Sequence, residues 1–443
     1  MTDRFTETAA CLRARYCSRR ERARYCSRRE MLGLAGGALG LGLLPTGSRA
    51  NAFQTASGIN ANPKLAAPKS VLPRTVALLE KLQQEKMQIG SQFYLSRHGK
   101  PLADFALGWS RLDTVPMTPE TMMIWFSSTK PVTAVAVAQQ WERGKFELDD
   151  PVAKYIPEFG NHGKEAITIR HVLTHRGGFR RADGGNKSLS RTMAENLKLI
   201  YQAELEPGWA PGKKAGYHPT SGWFILGELV QRVSGRKFSD YVREEIFLPL
   251  GMRDCWIGMP VARFRAYGNL IGWMYATRPG VEPQPTPVPN SEAFNTDCSP
   301  GAGGRGPMRE LGRFYEMLLN HGALDGRRIL SSQTVEAITA RHRVGMLDQS
   351  FGIVMDWGLG FNLDSHLYGN YCSDRAFGHG GAQSSAGFCD PEYGLVVAMV
   401  LNGMPGPAVH AQRALDLANA IYLDLGLAKE GEPGKPRVLP KTG

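Results

Sequence analysis

Hydrophobic and polar residues follow two different periods along this chain. Residues 91–99 and 101–109 have the composition and alternation of strands, and the turn His98-Gly99-Lys100 between them predicts a β-hairpin. Near the C-terminus, three further strands are predicted, at residues 377–381, 384–389 and 395–402. Strands are therefore expected at both ends of the chain.

A helical period occupies most of the sequence between these strands. Residues 131–144 are apolar on nearly every side at the start of the segment, which is typical of a buried helix. Residues 222–235 predict a helix that ends at a capping glycine, and further helices are predicted at 71–87, 308–320 and 409–425. Because strands at the two ends enclose helices, we expect an α+β fold rather than a parallel βαβ sheet. Its antiparallel sheet would be flanked by helices, with a mostly helical insertion at about 131–295.

The first 52 residues have the layout of an export signal. Residues 13–21 and 22–30 repeat the same nine letters, RARYCSRRE, and the second copy runs into an apolar segment at 31–45. That segment is shorter than the roughly 20 residues that a membrane-spanning helix needs. A basic region, a short apolar region and a small-residue site ending at Ala52 together predict a signal peptide cleaved after Ala52.

Residues 27–32 (SRREML) resemble the twin-arginine export motif, although Met31 stands where Phe is usual and Gly33 where Lys is usual. The resemblance implies the twin-arginine translocation machinery as a partner and a periplasmic or secreted location. It also implies no stable membrane span after cleavage. A cytosolic protein with a basic tail, or an N-terminal anchor that stays uncleaved, is the alternative.

The rest of the chain divides by composition. Residues 53–70 are polar and rich in Pro and Ala, so we expect a linker. Residues 71–427 are expected to form one domain, whose sheet is built from about 71–125 and 296–427. The Pro-, Gly- and Lys-rich end, 428–443, predicts a flexible tail.

The formal net charge of +12 over 443 residues does not indicate a nucleic-acid-binding protein. Residues 1–52 hold ten Arg and four acidic residues, a net of +6, so the rest of the chain carries only the other +6. That part contains no basic run interleaved with aromatic residues, which is the expected footprint of nucleic-acid binding.

Cysteine usage predicts neither a metal site nor a required disulfide. Three of the seven cysteines fall within the expected signal peptide, and there is no CxxC motif. Twin-arginine substrates fold before export, in a reducing compartment. We expect no metal and no cofactor. The spacing leaves open whether the remaining four cysteines pair, and these are Cys255, Cys298, Cys372 and Cys389.

The chemistry is expected at Ser127-Ser128-Thr129-Lys130, an S-x-x-K motif that enters the predicted buried helix. Positions i and i+3 of a helix share a face, so the Lys130 amine would lie against the Ser127 hydroxyl. Burial disfavours the ammonium form, and a neutral Lys130 would accept the serine proton. Proline is tolerated in the first turn of a helix, so Pro131 places the helix start close to Ser127. Free backbone N–H groups at that start favour a developing oxyanion.

The motif alone is a weak signal, for three reasons. A serine ahead of a helix is by default an N-cap. A second match at 234–237 (SGRK) lies at the C-terminal end of the helix at 222–235, where neither burial nor the helix dipole helps. Finally, the residue before a proline avoids helical geometry, and here that residue is Lys130.

Several segments, in this order along the chain, resemble the serine β-lactamase-like, penicillin-recognising hydrolases. They are residues 121–130 (TMMIWFSSTK), 143–159 (RGKFELDDPVAKYIPEF), 168–179 (TIRHVLTHRGGF), 249–252 (PLGM) and 377–381 (FGHGG). The resemblance covers about residues 70–425 and is of the class C β-lactamase-related, family VIII carboxylesterase type. It implies the β-lactamase/transpeptidase-like fold, with Ser127 as nucleophile and Lys130 as its acid/base partner.

The resemblance also implies a tyrosine close to the serine and the lysine. Tyr217, within 215–219 (AGYHP), is the tyrosine best placed for this role. A phenol hydrogen-bonded to Lys130 would deprotonate Ser127 or protonate the leaving group. Pro219 departs from the family, which usually has Asn or Ser there.

His379-Gly380-Gly381 resembles the edge-strand motif of the family. Its glycines let a ligand lie against the backbone, and the amide of Ala382 would pair with the amide of Ser127 as an oxyanion hole. His379 stands where lactamases carry a lysine. Because histidine is smaller and neutral near pH 7, it would hold a β-lactam carboxylate less firmly.

Three other motif matches lack the context that their chemistry needs. The KTG at 441–443 ends the chain, and no strand leads into the GxGxxG match at 301–306. His171 and His175 lack the glutamate of a zinc-binding HExxH helix. We therefore expect neither a dinucleotide site nor a metal site.

These observations predict an exported serine hydrolase that forms an acyl-enzyme at Ser127. The missing Asn and the histidine at 379 favour a carboxylesterase acting on small acyl esters. One alternative is a D-amino-acid amidase, a peptidase or a β-lactamase that uses the same site. Another is a non-catalytic binding module of this fold. The expected partner is a small-molecule ester or amide, and no nucleic acid.

Overall fold

The structure, a computed structural model, describes residues 58–440, and for Asn186 only the backbone. The expected signal peptide, its repeated segment and the KTG at 441–443 lie outside the described residues. No helix between residues 58 and 440 is long and apolar enough to cross a membrane.

An antiparallel sheet forms the centre of the fold. Its strands are β1 (Ile59–Ala61), β2 (Gly90–Arg97), β3 (Lys100–Arg111), β4 (Asp356–Trp357), β5 (Asn362–Leu363), β6 (Phe377–Gly380), β7 (Ser385–Asp390) and β8 (Leu395–Leu401). They are ordered β1-β3-β2-β8-β7-β6-β5-β4. The N-terminal hairpin meets the C-terminal strands where β2 pairs with β8, with Leu95 opposite Val397. The antiparallel sheet expected from the sequence is confirmed.

Helices cover both faces of this sheet. The long ones are α1 (Pro73–Gln84), α2 (Lys130–Glu142), α3 (Ser221–Ser234), α4 (Met308–Leu319) and α5 (Pro407–Asp424). Successive side chains of a strand point to opposite faces, so β8 contributes to two cores. Leu395 and Val397 belong to the core that includes residues of α1 and α5, whereas Val396 and Ala398 belong to the core that includes residues of α4.

Shorter elements complete the domain. The other helices are Pro68–Val71, Ile169–Leu173, Met193–Gln202, Phe238–Val242, Val261–Tyr267, Pro287–Asn290, Glu292–Thr296 and Ser332–Thr339. The other strands are Val115–Pro116, Met123–Ile124, Trp256–Ile257, Tyr275–Arg278, Val281–Pro285, Gly304–Gly306, Ala323–Leu324, Arg327–Arg328, Leu347–Asp348, Ile353–Val354 and Gly403–Met404. The insertion is therefore mostly helical, with a short ribbon at 275–285.

Helix α2 is the centre of the helical insertion. Every residue from Lys130 to Gln140 is buried, which agrees with its apolar composition on nearly every side. It packs against α3 and against Phe238–Val242. The N-terminus of α2 points toward the sheet, because the turn before it contacts β6 and β7.

Parts of the expected linker and tail are packed against the domain. In the segment predicted as a linker, Ile59 pairs with Leu107 of β3. In the segment predicted as a flexible tail, the Arg437 guanidinium donates to Asp364 Oδ1 at 2.8 Å and to the Gly369 carbonyl at 2.9 Å. The composition of these two segments did not predict these contacts. Neither segment has an apolar pattern that predicts packing. Backbone pairing attaches the first to the domain, and the several donors of the Arg437 guanidinium attach the second.

Candidate active site

The Ser127 turn connects a buried strand to helix α2. Residues Phe126–Thr129 form a 3₁₀ turn, and the α-helix begins at Lys130. Phe126 has a φ of 48°, a left-handed conformation that is uncommon for a residue with a side chain and that is often found at functional sites. Lys130 adopts helical geometry (φ −55°, ψ −43°) in spite of Pro131. The helix therefore starts where the motif predicts, with Ser127 half-buried at its mouth.

The Lys130 amine is fully buried and lies among three oxygen atoms. Its Nζ is 2.8 Å from Ser127 Oγ, 2.7 Å from the Pro219 carbonyl oxygen and 2.9 Å from the Gly301 carbonyl oxygen. Burial lowers the pKa of Lys130 far below the usual lysine value, and the Asp183 carboxylate opposes this shift. The neutral amine that the sequence predicts is therefore favoured.

Tyr217 contacts the serine rather than the lysine. Its hydroxyl donates to Ser127 Oγ at 2.8 Å, and Lys130 Nζ lies 5.2 Å from the centre of its ring. Burial raises the pKa of Tyr217, and the charge of Asp348 raises it further, while the bond to Ser127 lowers it. The phenol is therefore protonated at neutral pH. The expected hydrogen bond between this phenol and Lys130 is corrected to one between the phenol and Ser127, because the amine is occupied by carbonyls.

His379 lies on β6 and is 5% exposed. Its ring is centred 6.0 Å from the Tyr217 ring, and its Nδ1 lies 2.6 Å from the Gly380 carbonyl oxygen. Burial, followed by the nearby Lys130, lowers the pKa of His379 to about 3, so the ring is neutral. Among the residues described, no group hydrogen-bonds to its Nε2. His379 therefore presents a neutral acceptor where lactamases carry a cation.

Two serines attach β6 to the Ser127 turn. Ser128 Oγ donates to the His379 carbonyl at 3.1 Å and lies 3.0 Å from Ser385 Oγ, which in turn donates to the Trp125 carbonyl. The strand carrying His379 therefore has a defined position relative to Ser127.

The glycines of the edge-strand motif differ in the space around them. A Cβ on Gly381 would lie 2.1 Å from the Trp125 carbonyl oxygen, a contact that only backbone movement would relieve. A Cβ on Gly380 would instead meet the flexible end of Leu367 at 2.5 Å. Gly381 is therefore required for the close approach of its backbone to the Trp125 carbonyl. The next residue, Ala382, lies just beyond the end of β6 and is exposed.

His175 has a structural position beneath Tyr217. Its ring is centred 4.7 Å from the Tyr217 ring, and its Nδ1 accepts the His218 amide at 3.0 Å. Burial lowers its pKa well below the usual histidine value. No group of His, Cys, Asp and Glu within residues 58–440 has the arrangement of a metal site, and the four cysteines of that range are free thiols.

The second S-x-x-K match has none of these features. Ser234 ends α3, Gly235 caps the helix with a φ of 70°, and Lys237 is exposed.

By contrast, the Gly301 carbonyl that contacts Lys130 belongs to the GxGxxG match. That carbonyl and the one of Pro219 were not expected at the site, since a backbone acceptor has no signal in the residue type. Two cavities, of about 480 and 300 Å³, are lined by residues other than those that surround Ser127.

The chain is similar to several known proteins. A family profile described as "Beta-lactamase" matches residues 77–420. The esterase/β-lactamase LipL of Mycobacterium tuberculosis is 29% identical over 347 residues, covering 71% of this chain and 77% of LipL. The esterase EstB of Burkholderia gladioli is 27% identical over 377 residues, covering 78% of this chain and 94% of EstB.

Solved structures lead to the same fold. A family VIII carboxylesterase superposes with a TM-score of 0.69 and 26% identity, covering 83% of this chain and 100% of that one. A penicillin-binding protein homologue from Caulobacter crescentus has a TM-score of 0.70, again with 26% identity and the same coverage. The resemblance and the fold class inferred from the sequence are confirmed.

Proposed function

Because the chain belongs to the β-lactamase family, we propose that it is an exported serine hydrolase that acts mainly on small acyl esters. The fold and the esterase relatives support a hydrolase. One observation carries the finer assignment: Lys130 Nζ and the Tyr217 hydroxyl both lie 2.8 Å from Ser127 Oγ, at a half-buried position. A nucleophile within reach of a base and an acid is the arrangement that covalent hydrolysis needs.

Lys130 is the base in this proposal. A neutral amine has two N–H hydrogens, and the Pro219 and Gly301 carbonyls accept both. The lone pair of Nζ then faces the Ser127 hydroxyl. As Ser127 Oγ bonds to the ester carbonyl carbon, its proton moves to Nζ, and the two carbonyls stabilise the ammonium that forms.

Tyr217 is the acid. Its raised pKa keeps the phenol protonated, so it donates a proton to the alcohol oxygen as the carbon–oxygen bond of the ester breaks. The ammonium of Lys130 then returns a proton to the phenolate. Water attacks the carbonyl carbon of the resulting acyl-enzyme, and one of its protons moves to Lys130. Lys130 then passes a proton to Ser127 Oγ as the bond between that oxygen and the acyl carbon breaks, which releases the carboxylic acid. In this scheme the Ser127 and Ala382 amides stabilise the carbonyl oxygen.

The neutral His379 and the proline at 219 favour esters over β-lactams. A β-lactam antibiotic carries a carboxylate, and His379 offers that group no positive charge. Proline at 219 removes a side chain that would hydrogen-bond an amide. Relatives described as a β-lactamase and as a penicillin-binding protein keep amide hydrolysis as the second candidate.

The test is a panel of substrates read by both turnover and adduct mass. p-Nitrophenyl butyrate, nitrocefin and a D-alanyl peptide should each be offered to the enzyme. We expect fast ester turnover and an acyl adduct on the intact protein, both lost in Ser127→Ala and both kept in Ser234→Ala, the matched serine of the second motif. Amide turnover equal to ester turnover would overturn the ester preference, and an adduct that persists in Ser127→Ala would overturn the nucleophile.

Export has its own test, which the repeated segment makes specific. Replacing Arg28 and Arg29 by Lys should retain the full-length chain in the cytoplasm, because this pair adjoins the apolar segment. The same change at Arg19 and Arg20, in the first repeat, is the control and should leave export unchanged. Export that survives the first pair of changes would refute the twin-arginine route.

A further inference from the structure

A buried ion pair lies behind Tyr217. Arg343 Nη2 is 3.0 Å from Asp348 Oδ2, and neither side chain is exposed to solvent. Asp348 lies in a hairpin formed by the strands Leu347–Asp348 and Ile353–Val354, and Arg343 lies just before it and forms an antiparallel bridge with Trp357. The acyl-transfer scheme above assigns no role to either residue.

Asp348 holds the backbone of the tyrosine. Its Oδ1 accepts the Tyr217 amide at 3.1 Å, together with the amides of Ser350 at 2.9 Å and Phe351 at 3.3 Å. Ala215 forms a parallel bridge with Asp348. One carboxylate therefore connects the tyrosine segment to a turn that follows it by 131 positions along the chain.

Arg343 binds that carboxylate and also contacts the segment that leads into His175. Its Nη1 donates to the Thr174 carbonyl at 3.3 Å and its Nε to the Met355 carbonyl at 3.1 Å. Thr174 directly precedes His175, whose ring lies against Tyr217. The ion pair thus joins the segments on two sides of the phenol.

We propose that Asp348, held by Arg343, is a positioning residue that keeps the Tyr217 hydroxyl on Ser127. The inference rests on the proposed role of Tyr217. The phenol is long and rigid, so a small tilt of its backbone becomes a larger displacement of its hydroxyl. A misplacement of about 1 Å in an active site costs about 100-fold in rate. Stability alone does not explain the pair, because buried ion pairs contribute little compared with apolar residues of the same size.

The test uses an alkyl ester, ethyl butyrate, and three variants. Asp348→Ala removes the acceptor of the Tyr217 amide, and we expect kcat to fall about 10- to 100-fold with KM changed less than about threefold. Asp348→Asn combined with Arg343→Gln keeps an acceptor and leaves no buried charge unpaired, so we expect most of kcat to return. In a Tyr217→Phe background, Asp348→Ala should cause almost no further loss, because it acts through the phenol hydroxyl.

Asp390→Ala is the control for a general loss of stability. Asp390 is another fully buried carboxylate, which accepts the Ser373 amide at 2.8 Å and the Tyr422 hydroxyl at 2.7 Å, at the end of β7 remote from Ser385. Thermal unfolding should show a comparable loss of stability in this variant, with kcat unchanged in the folded protein.

The outcomes separate this inference from the proposed function. If Tyr217→Phe keeps full activity, the proposed role of Tyr217 fails and the positioning role fails with it. Two results would overturn only the positioning role. In the first, Tyr217→Phe is impaired but Asp348→Ala is fully active. In the second, Asp348→Ala lowers kcat by the same factor whether residue 217 is Tyr or Phe. If Asp348→Ala does not fold, the combined variant decides: a kcat that stays low in folded protein refutes the inference.

Discussion

Replacing Tyr217 by Phe tests the assignment of the acid most directly. The substitution removes one oxygen atom and leaves a ring that still packs against His175 at 4.7 Å and Phe351 at 5.1 Å. The oxygen makes one hydrogen bond through its proton, to the half-buried Ser127. Loss of one such bond costs about 1 kcal/mol of folding free energy.

The expected loss of activity is several times larger than this loss of stability. A positioned acid or base contributes about 100- to 10,000-fold, which at about 1.4 kcal/mol per tenfold corresponds to about 3–5 kcal/mol of activation free energy. We expect a loss in this range for ethyl butyrate. Residual activity should exceed that of Ser127→Ala, because the nucleophile and Lys130 are still present.

Comparing two leaving groups separates an acid from a base. A p-nitrophenolate leaves without a proton, so Tyr217→Phe should reduce kcat/KM for p-nitrophenyl butyrate much less than for ethyl butyrate. Thermal unfolding should be measured on the same samples. Tyr267→Phe is the matched control, because that hydroxyl also donates at 2.8 Å, to Asp254, outside the site.

Two results would refute the reasoning. A loss below about tenfold on the ethyl ester would show that the phenol is not the acid, since acid catalysis contributes more than this. An equal loss on both esters would show that Tyr217 acts before the alcohol leaves, on Ser127 itself.

The pH profile and the edge-strand glycines provide two further predictions. Only neutral Lys130 accepts a proton, so kcat/KM should rise with pH through its lowered pKa and stay high until the raised pKa of Tyr217 is reached, above the usual value of about 10. The pKa of His379 is about 3, so a step near pH 6.5 that disappears in His379→Gln would contradict its buried, neutral state. Gly381→Ala should abolish ester hydrolysis because its Cβ meets a carbonyl oxygen at 2.1 Å, whereas Gly380→Ala should keep most of it, and equal activities would refute this difference.

The secondary structure was predictable because it depends on neighbouring residues. The predicted strand at 395–402 is observed as Leu395–Leu401, and the predicted helix at 131–144 as Lys130–Glu142. Both segments are rich in apolar residues, so the burial expected from their composition and the spacing of those residues lead to the same prediction. The strand at Ile59–Ala61 was missed because three residues in a polar context have no period of their own.

The site was predictable in part. The proximity of Ser127 and Lys130 followed from the helix rule for positions i and i+3, and their side chains lie 2.8 Å apart, whereas their roles needed the resemblance. Tyr217 needed the resemblance, because nothing in its local sequence distinguishes it among 14 tyrosines. Its actual hydrogen-bond partner was not predictable, since the choice depends on what else occupies the lysine amine.

The local elements and the pair of groups one helical turn apart follow from the amino-acid sequence, because both depend on residues that are close along the chain. How that pair is completed depends on segments that the fold brings together from far apart. The Pro219 and Gly301 carbonyls reach Lys130 from 89 and 171 positions away, and Asp348 reaches the Tyr217 amide from 131. Carbonyls and amides are present at almost every residue, so their roles arise from packing and leave no trace in residue type.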